Sequence, residues 1–173
     1  IPLRLVGSEM CIRDSLSIDL VVIGPEIPLA NGLADLLRKK DFKVFGPNKD
    51  GAKLEFSKSW AKEFMQKANI PTANFWKVNS IEEAKKIINS SSIPLVVKAD
   101  GLASGKGVFI PNSKDECFKA AESIFNGRFG NSGNVVVLEE KIQGPEVSVF
   151  ALCDGERYTL LPTAQDHKRL NEK

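Results

Sequence analysis

Residues 96–108 read Val-Val-Lys-Ala-Asp-Gly-Leu-Ala-Ser-Gly-Lys-Gly-Val, and they hold the densest chemistry in this chain. The apolar run Leu95-Val96-Val97 predicts a buried strand with Lys98 at its end. Three glycines follow, Gly101, Gly105 and Gly107, with Lys106 between the last two. Glycines let backbone N–H groups approach a bound group closely and permit positive φ. Two lysines beside such a loop suit a polyphosphate. A Walker-type loop needs four residues between its first glycine and the Gly-Lys pair, whereas Gly101 and Gly105 enclose three. A dinucleotide fingerprint opens a helix, whereas Gly105-Lys106-Gly107 runs into the strand-like Val108-Phe109-Ile110. The pattern predicts a flap between two antiparallel strands; an ordinary glycine-rich hairpin is the plain alternative.

Other residues could join this chemistry. Lys58 falls in the first turn of a helix capped by Ser57, where the dipole disfavours a cation but favours a bound anion. Glu139 and Glu140 end an apolar strand, Val135 to Leu138; an acidic pair there is otherwise a solvated strand end. Gly24-Pro25-Glu26 follows a strand of an α/β layer, where open sheets bind ligands. A simple strand-to-helix turn is the alternative. Asp166, His167, Lys168 and Arg169 form a polar cluster. His167 is the only histidine, and Cys11, Cys117 and Cys153 are widely separated, so neither a histidine pair nor a cysteine metal motif can be written. An odd, dispersed cysteine count fits reduced cytoplasmic thiols.

The elements that must position these groups follow from periodicity. Residues 18–23 form an apolar strand, Leu29, Leu33, Leu36 and Leu37 recur at helical spacing, and Lys43-Val44-Phe45 is a second strand. That order is one unit of a parallel α/β layer. Trp60, Ala61, Phe64, Met65 and Ala68 mark the apolar face of the helix after Ser57, with Trp60, Phe64 and Met65 expected in the core. Residues 74–78 read as a strand. Ser80 with Glu83 and Ser113 with Glu116 are capping boxes opening two further helices. Residues 127–134 read as a loop, and residues 147–152 as one alternating strand. Residues 157–161 are the hairpin partner of that strand, across Asp154-Gly155. The 173 residues carry a formal charge of +2 with no basic, aromatic-interleaved run and no membrane-length apolar stretch, so neither nucleic acid nor a bilayer is implied as a partner.

Taken together, Ser57-Lys58, the 96–108 segment, Leu138-Glu139-Glu140 and Gly144-Pro145-Glu146 resemble the ATP-grasp ligases. Val22-Ile23-Gly24-Pro25-Glu26 and the Thr-Ala-Gln-Asp-His-Lys-Arg run ending at Arg169 narrow the resemblance to the phosphoribosylamine–glycine ligase family, over roughly residues 18 to 173. The resemblance implies a partial ATP-grasp fold, α/β and α+β in class, preceded by the last strand–helix–strand of a Rossmann-like domain. It implies residues 16–50 as the end of that domain, 51–73 as a helical connector, 74–138 as a lid subdomain and 139–173 as the start of a large subdomain. Residues 1–15 show no clean period and are set aside as extraneous.

The implied activity joins glycine to 5-phosphoribosylamine at the expense of ATP, through an acyl phosphate, in purine biosynthesis in the cytoplasm. Lys58, Lys98, Gly101, Gly105, Lys106 and Gly107 are the implied phosphate-side residues. Glu139, Glu140, Lys141 and Ile142 are placed at the adenine, and Glu146 at the ribose. Gly24, Pro25, Glu26, Asp166, His167, Lys168 and Arg169 are assigned to the substrate side. Magnesium or manganese is the implied metal; its ligands are expected beyond residue 173, so this chain alone is expected to bind nucleotide weakly rather than turn over. Another ATP-grasp enzyme, such as a biotin-dependent carboxylase subunit or a carboxyaminoimidazole synthase, and a non-catalytic nucleotide-binding module are the competing readings.

Overall fold

The computed structural model describes residues 18–103 and 106–166, which divide into two compact units between Lys141 and Ile142. The first unit begins with a parallel pair, β1 (Val21–Val22) and β2 (Val44–Phe45), joined through α1 (Glu26–Ala30) and α2 (Leu33–Arg38). The leucine spacing predicts one helix, but the chain makes two. Gly32 lies at φ +83°, a left-handed conformation that ends the first helical turn and starts the next in a new direction. The apolar pattern survives the break: Ile23, Leu33, Ala34, Leu37 and Phe42 form a small core. The Arg38 guanidinium donates to the carbonyls of Val44 and Gly46 at 3.2 and 2.6 Å, tying the end of α2 to β2.

Two helices meet at Ser57, which closes α3 (Lys49–Phe56) and caps α4 (Lys58–Lys67) by accepting from the Trp60 N–H. The next sheet is antiparallel throughout, in the order β3 (Phe75–Val78), β6 (Val136–Glu140), β4 (Leu95–Ala99), β5 (Val108–Phe109). Ser80 caps α5 (Ile81–Ser90) and Ser113 caps α6 (Lys114–Ser123). Glu83 and Glu116 return to the N–H groups of Asn79 and Asn112, one residue before each cap, which makes both capping boxes slightly wider than the sequence pattern implies.

The pleat gives this sheet two different faces. Val78, Leu95, Val97, Ala99, Val136 and Leu138 point toward α5 and α6, where Ala84, Ile88, Cys117, Ala121 and Ile124 complete a closed core. The register places Lys77 opposite Val137, Val96 opposite Glu139 and Lys98 opposite Val137, so these residues share the other face, beside α4. The run Leu95-Val96-Val97 is therefore a one-sided strand, and Lys98 lies within β4 on its polar side.

Three further expectations change. Phe64 is 42% exposed and stacks on Trp60, with ring centroids 5.3 Å apart, instead of entering the core; Met65 is half-buried and Ala68 exposed. The face of α4 turned inward carries Ser59, Ala61 and Lys62. Residues 127–134 are not an open loop: helical turns continue past α6 until Gly127, at φ +89°, kinks the chain, and a 3-10 turn follows at Gly130–Gly133. In the second unit, the single strand expected over residues 147–152 is two strands. β7 (Glu146–Ser148) pairs with β10 (Ala164–Asp166), and β8 (Ala151–Cys153) pairs with β9 (Tyr158–Leu160), the expected hairpin.

Ile88 and Phe64 test the two faces against each other. Ile88→Ala is expected to destabilise the first unit by about 2–5 kcal/mol through a cavity in the closed core. Phe64→Ala removes mainly an exposed stacking contact, worth about 0.5–1.5 kcal/mol. Chemical denaturation of both variants measures the difference, and equal losses would contradict this arrangement of α4.

Candidate functional site

On the α4 side of the sheet, Glu139 lies between two lysines. Its Oε1 accepts from Lys62 Nζ at 2.6 Å and its Oε2 from Lys98 Nζ at 2.5 Å. The Lys62 ammonium also donates to Thr72 Oγ1 at 2.7 Å. Side-chain exposure is 11% for Lys62, 12% for Glu139 and 24% for Lys98. Burial is the largest single influence on Glu139 and opposes its ionisation, but the hydrogen bonds and charges of Lys62 and Lys98 together outweigh it and hold the carboxyl below its usual range. Lys77 and Glu63 form a more exposed pair at 3.0 Å beside this group.

Immediately after β4 the chain binds the start of α4. Asp100 accepts from the Ser59 N–H at 3.0 Å, from Ser59 Oγ at 2.7 Å and from Ser57 Oγ at 3.2 Å. A carboxylate is favoured at this end of a helix by the dipole and the unsatisfied N–H groups. The anion at the start of α4 is thus supplied by the chain itself. Lys58 Nζ donates to the Gly101 carbonyl at 3.3 Å, placing this lysine at the base of the glycine segment.

Two glycines there are required sterically. Gly101 has φ +81°, and a side chain would also press on Ser132. A Cβ on Gly107 would lie 2.6 Å from the Ala103 Cβ. Gly107 returns a carbonyl to the Ala99 N–H, so the segment closes as the antiparallel β4–β5 connection that the sequence predicts. Lys106 is exposed; Gly105 lies outside the described residues.

The remaining candidates are dispersed. Glu140 accepts from Asn74 Nδ2 at 2.8 Å, and the Lys141 N–H donates to the Pro94 carbonyl. Ile142 is 70% exposed in the second unit, where Glu146 stands opposite Asp166 in the β7–β10 register. Gly24 and Pro25 form the exposed turn between β1 and α1 on the small α/β layer, and Glu26 is the exposed first residue of α1. His167, Lys168 and Arg169 lie outside the described residues, as do residues 1–17. Among the described residues, no group of three or more His, Cys, Asp or Glu side chains could hold a metal ion. Sequence reasoning missed Lys62, Thr72 and Asp100. Lys62 carries a signal, since it follows Lys58 by four residues and so shares its side of the helix.

The Glu139 titration has a definite sign. A carboxyl whose folded pKa is lowered contributes stability above its unfolded value, about 4.3, and loses it as the pH falls through the folded value. The stability difference between the native protein and Glu139→Gln is expected to be largest near pH 7 and to shrink below about pH 4.3. Denaturation midpoints at pH 7 and pH 3.5 check this; a difference that grows on acidification would contradict it.

Comparison with known proteins bears on the same segments. The family model described as phosphoribosylglycinamide synthetase, ATP-grasp (A) domain, matches residues 56–173, and that of the N domain matches residues 8–55. Residues 8–15, set aside above as extraneous, fall inside the second match. The chain is 50% identical over 153 residues to phosphoribosylamine–glycine ligase from Nostoc sp., covering 88% of this chain and 36% of that protein. The crystal structure of phosphoribosylamine–glycine ligase from Thermotoga maritima superimposes with a TM-score of 0.69 at 42% identity, over 74% of this chain and 33% of that one. A biotin carboxylase from Campylobacter jejuni gives a TM-score of 0.74 at 21% identity, over 90% of this chain and 36% of that one, a likeness of fold alone. The chain thus spans about a third of the length of the relatives it matches. Since the family matches together run from residue 8 to residue 173 and a phosphoribosylamine–glycine ligase at 42% identity superimposes on the fold, this chain belongs to the phosphoribosylglycinamide synthetase family.

Proposed function

We propose that this chain supplies the nucleotide-phosphate side of an ATP-dependent ligase that joins glycine to 5-phosphoribosylamine. The observation that carries the reading is that Lys58, distant in sequence, reaches the Gly101 carbonyl just beyond the strand that carries Lys98. Lys58 is bonded to Gly101, and Lys98 is held by Glu139 three residues before that glycine. Family membership and the relatives named phosphoribosylamine–glycine ligase supply the substrate class.

In this reading a glycine carboxylate oxygen attacks the γ-phosphorus of ATP, the bond to the β-phosphate oxygen breaks, and ADP leaves. The amine of phosphoribosylamine then attacks the acyl carbon, expels phosphate and loses a proton. No protein nucleophile is required; the work is positioning and charge neutralisation. Lys58 and Lys98 neutralise phosphate charge, and the segment carrying Gly101, Gly105, Lys106 and Gly107 covers the phosphates and excludes water from the acyl phosphate. Glu139, Glu140, Lys141 and Ile142 lead out of β6 along the adenine, with Glu146 toward the ribose. Gly24, Pro25, Glu26 and the polar run from Asp166 to Arg169 serve the substrate side.

Magnesium, which supplies charge neutralisation when bound, has no fitting cluster among the described residues, and the chemistry assigned to this chain rests on its lysines and backbone. Residues 16–50, 51–73, 74–138 and 139–173 act in this proposal as the end of a Rossmann-like domain, connector, lid and start of the large subdomain. A cytoplasmic location fits the reading; among the described residues no helix is long and apolar enough to cross a membrane.

In the complete ligase, Lys98→Ala is expected to cost about 2–4 kcal/mol of transition-state stabilisation, the usual loss for one charged contact in a desolvated site. Lys114→Ala, on an α6 residue whose ammonium binds the Asn89 carbonyl, is expected to change kcat/KM for ATP little. Steady-state kinetics with ATP, magnesium, glycine and freshly generated phosphoribosylamine compare the two. Small, equal effects would remove the phosphate role of Lys98, and a complete ligase with no glycine-dependent ADP release would remove the proposed reaction.

A further inference from the structure

Lys62 is a buried ammonium that the proposed phosphate contacts do not use. Lysine is rarely this enclosed unless it is paired, and here both of its acceptors are fixed. Glu139 comes from β6, and Thr72 comes from the segment between α4 and β3. The Lys62 ammonium is therefore held away from solvent, while Lys98, on the other carboxylate oxygen, has twice its exposure. Two ammonium charges against one carboxylate leave a surplus of one positive charge. The adjacent Lys77–Glu63 pair is neutral and does not alter this balance.

The geometry points to Lys62 as a positioning residue for anion binding, acting through Glu139 on Lys98. With Lys62 present, Glu139 is already neutralised from its inner side, so the charge of Lys98 remains available to an anion. Without Lys62, a carboxylate only 12% exposed has one counter-ion, and Lys98 must supply it. The pair is then neutral, and an incoming phosphate has to compete with Glu139 for the same ammonium. Lys62 thus raises anion affinity without touching the anion. The arrangement also explains why a lysine rather than an apolar residue occupies the inward face of α4, where a hydrophobic side chain is usually at least as stabilising.

This inference rests on the nucleotide reading above, and the test separates the two. ADP and adenosine are titrated into the purified chain and followed by NMR, for the native sequence, Lys62→Met, Lys62→Gln and Lys62→Arg. Lys62→Gln keeps a hydrogen-bond donor beside Glu139 and Thr72, so it decides the question where Lys62→Met does not fold. The charge-removing variants are expected to lose ADP affinity by about tenfold or more, as expected for one charge at short range in a partly buried site. Adenosine, which has no phosphate, is expected to bind them as it binds the native chain, and Lys62→Arg is expected to recover most of the ADP affinity. Unchanged ADP affinity in folded Lys62→Gln, or parallel loss of ADP and adenosine, would overturn the inference and leave the nucleotide reading standing. A folded native chain that binds no ADP would overturn the nucleotide reading and the inference with it.

Discussion

A buried carboxylate shared by two lysines is the interaction on which the first unit depends. Glu139 leaves the sheet on the face that would otherwise pack apolar side chains, and meets Lys62 from α4 and Lys98 from the neighbouring strand. A charge that is this enclosed is tolerated only when its partners satisfy it from several directions. Helix and sheet are consequently positioned by geometry-dependent contacts in addition to the burial of apolar Ala61 and Val137. This fixes where α4 begins, and so where Ser57, Lys58 and Ser59 stand relative to Asp100 and Gly101.

The two faces of the sheet divide the labour. The α5–α6 side is a closed hydrophobic core and supplies most of the burial. The α4 side adds an ionic group to buried Ala61 and Val137 and supplies position. Because strand residues alternate, one strand serves both: Leu95, Val97 and Ala99 anchor β4 in the core while Lys98 is presented to the opposite side. The glycine connection begins directly after that lysine, so a rigid strand sets the location of a segment whose own backbone is built for close approach. In the proposed phosphate role this arrangement would supply positioning and charge neutralisation, which are what phosphoryl transfer asks of a protein.

Much of this was legible in the residue pattern. Period-2 and period-3.6 signals located the strands and helices, and Ser57, Ser80 and Ser113 each cap a helix where the sequence places them. The antiparallel β4–β5 connection followed from its failure to match two helix-opening loops. What could not be read locally depends on partners far along the chain. Nothing near Lys62 shows that Glu139 will face it, and Asp100 reads as part of a glycine motif until α4 is seen to start against it. Phe64 looked like core because large apolar residues usually are, whereas the inward face of α4 is set by the ionic group. Gly32 split a helix whose leucines carry an unbroken period, because a positive φ ends the helix whatever the apolar pattern.

The most direct measurement of the central claim is the ionisation of Glu139 itself, followed by its side-chain carboxyl carbon resonance as the pH is lowered, in the native chain and in Lys62→Gln. With both lysines in place the carboxyl titrates below the ordinary glutamate range. With Lys62 neutralised the desolvation of the site is opposed by one ammonium fewer, and the midpoint moves upward. A native midpoint at or above the ordinary value, or one that ignores the loss of Lys62, would contradict the account that a doubly paired, buried carboxylate organises this unit.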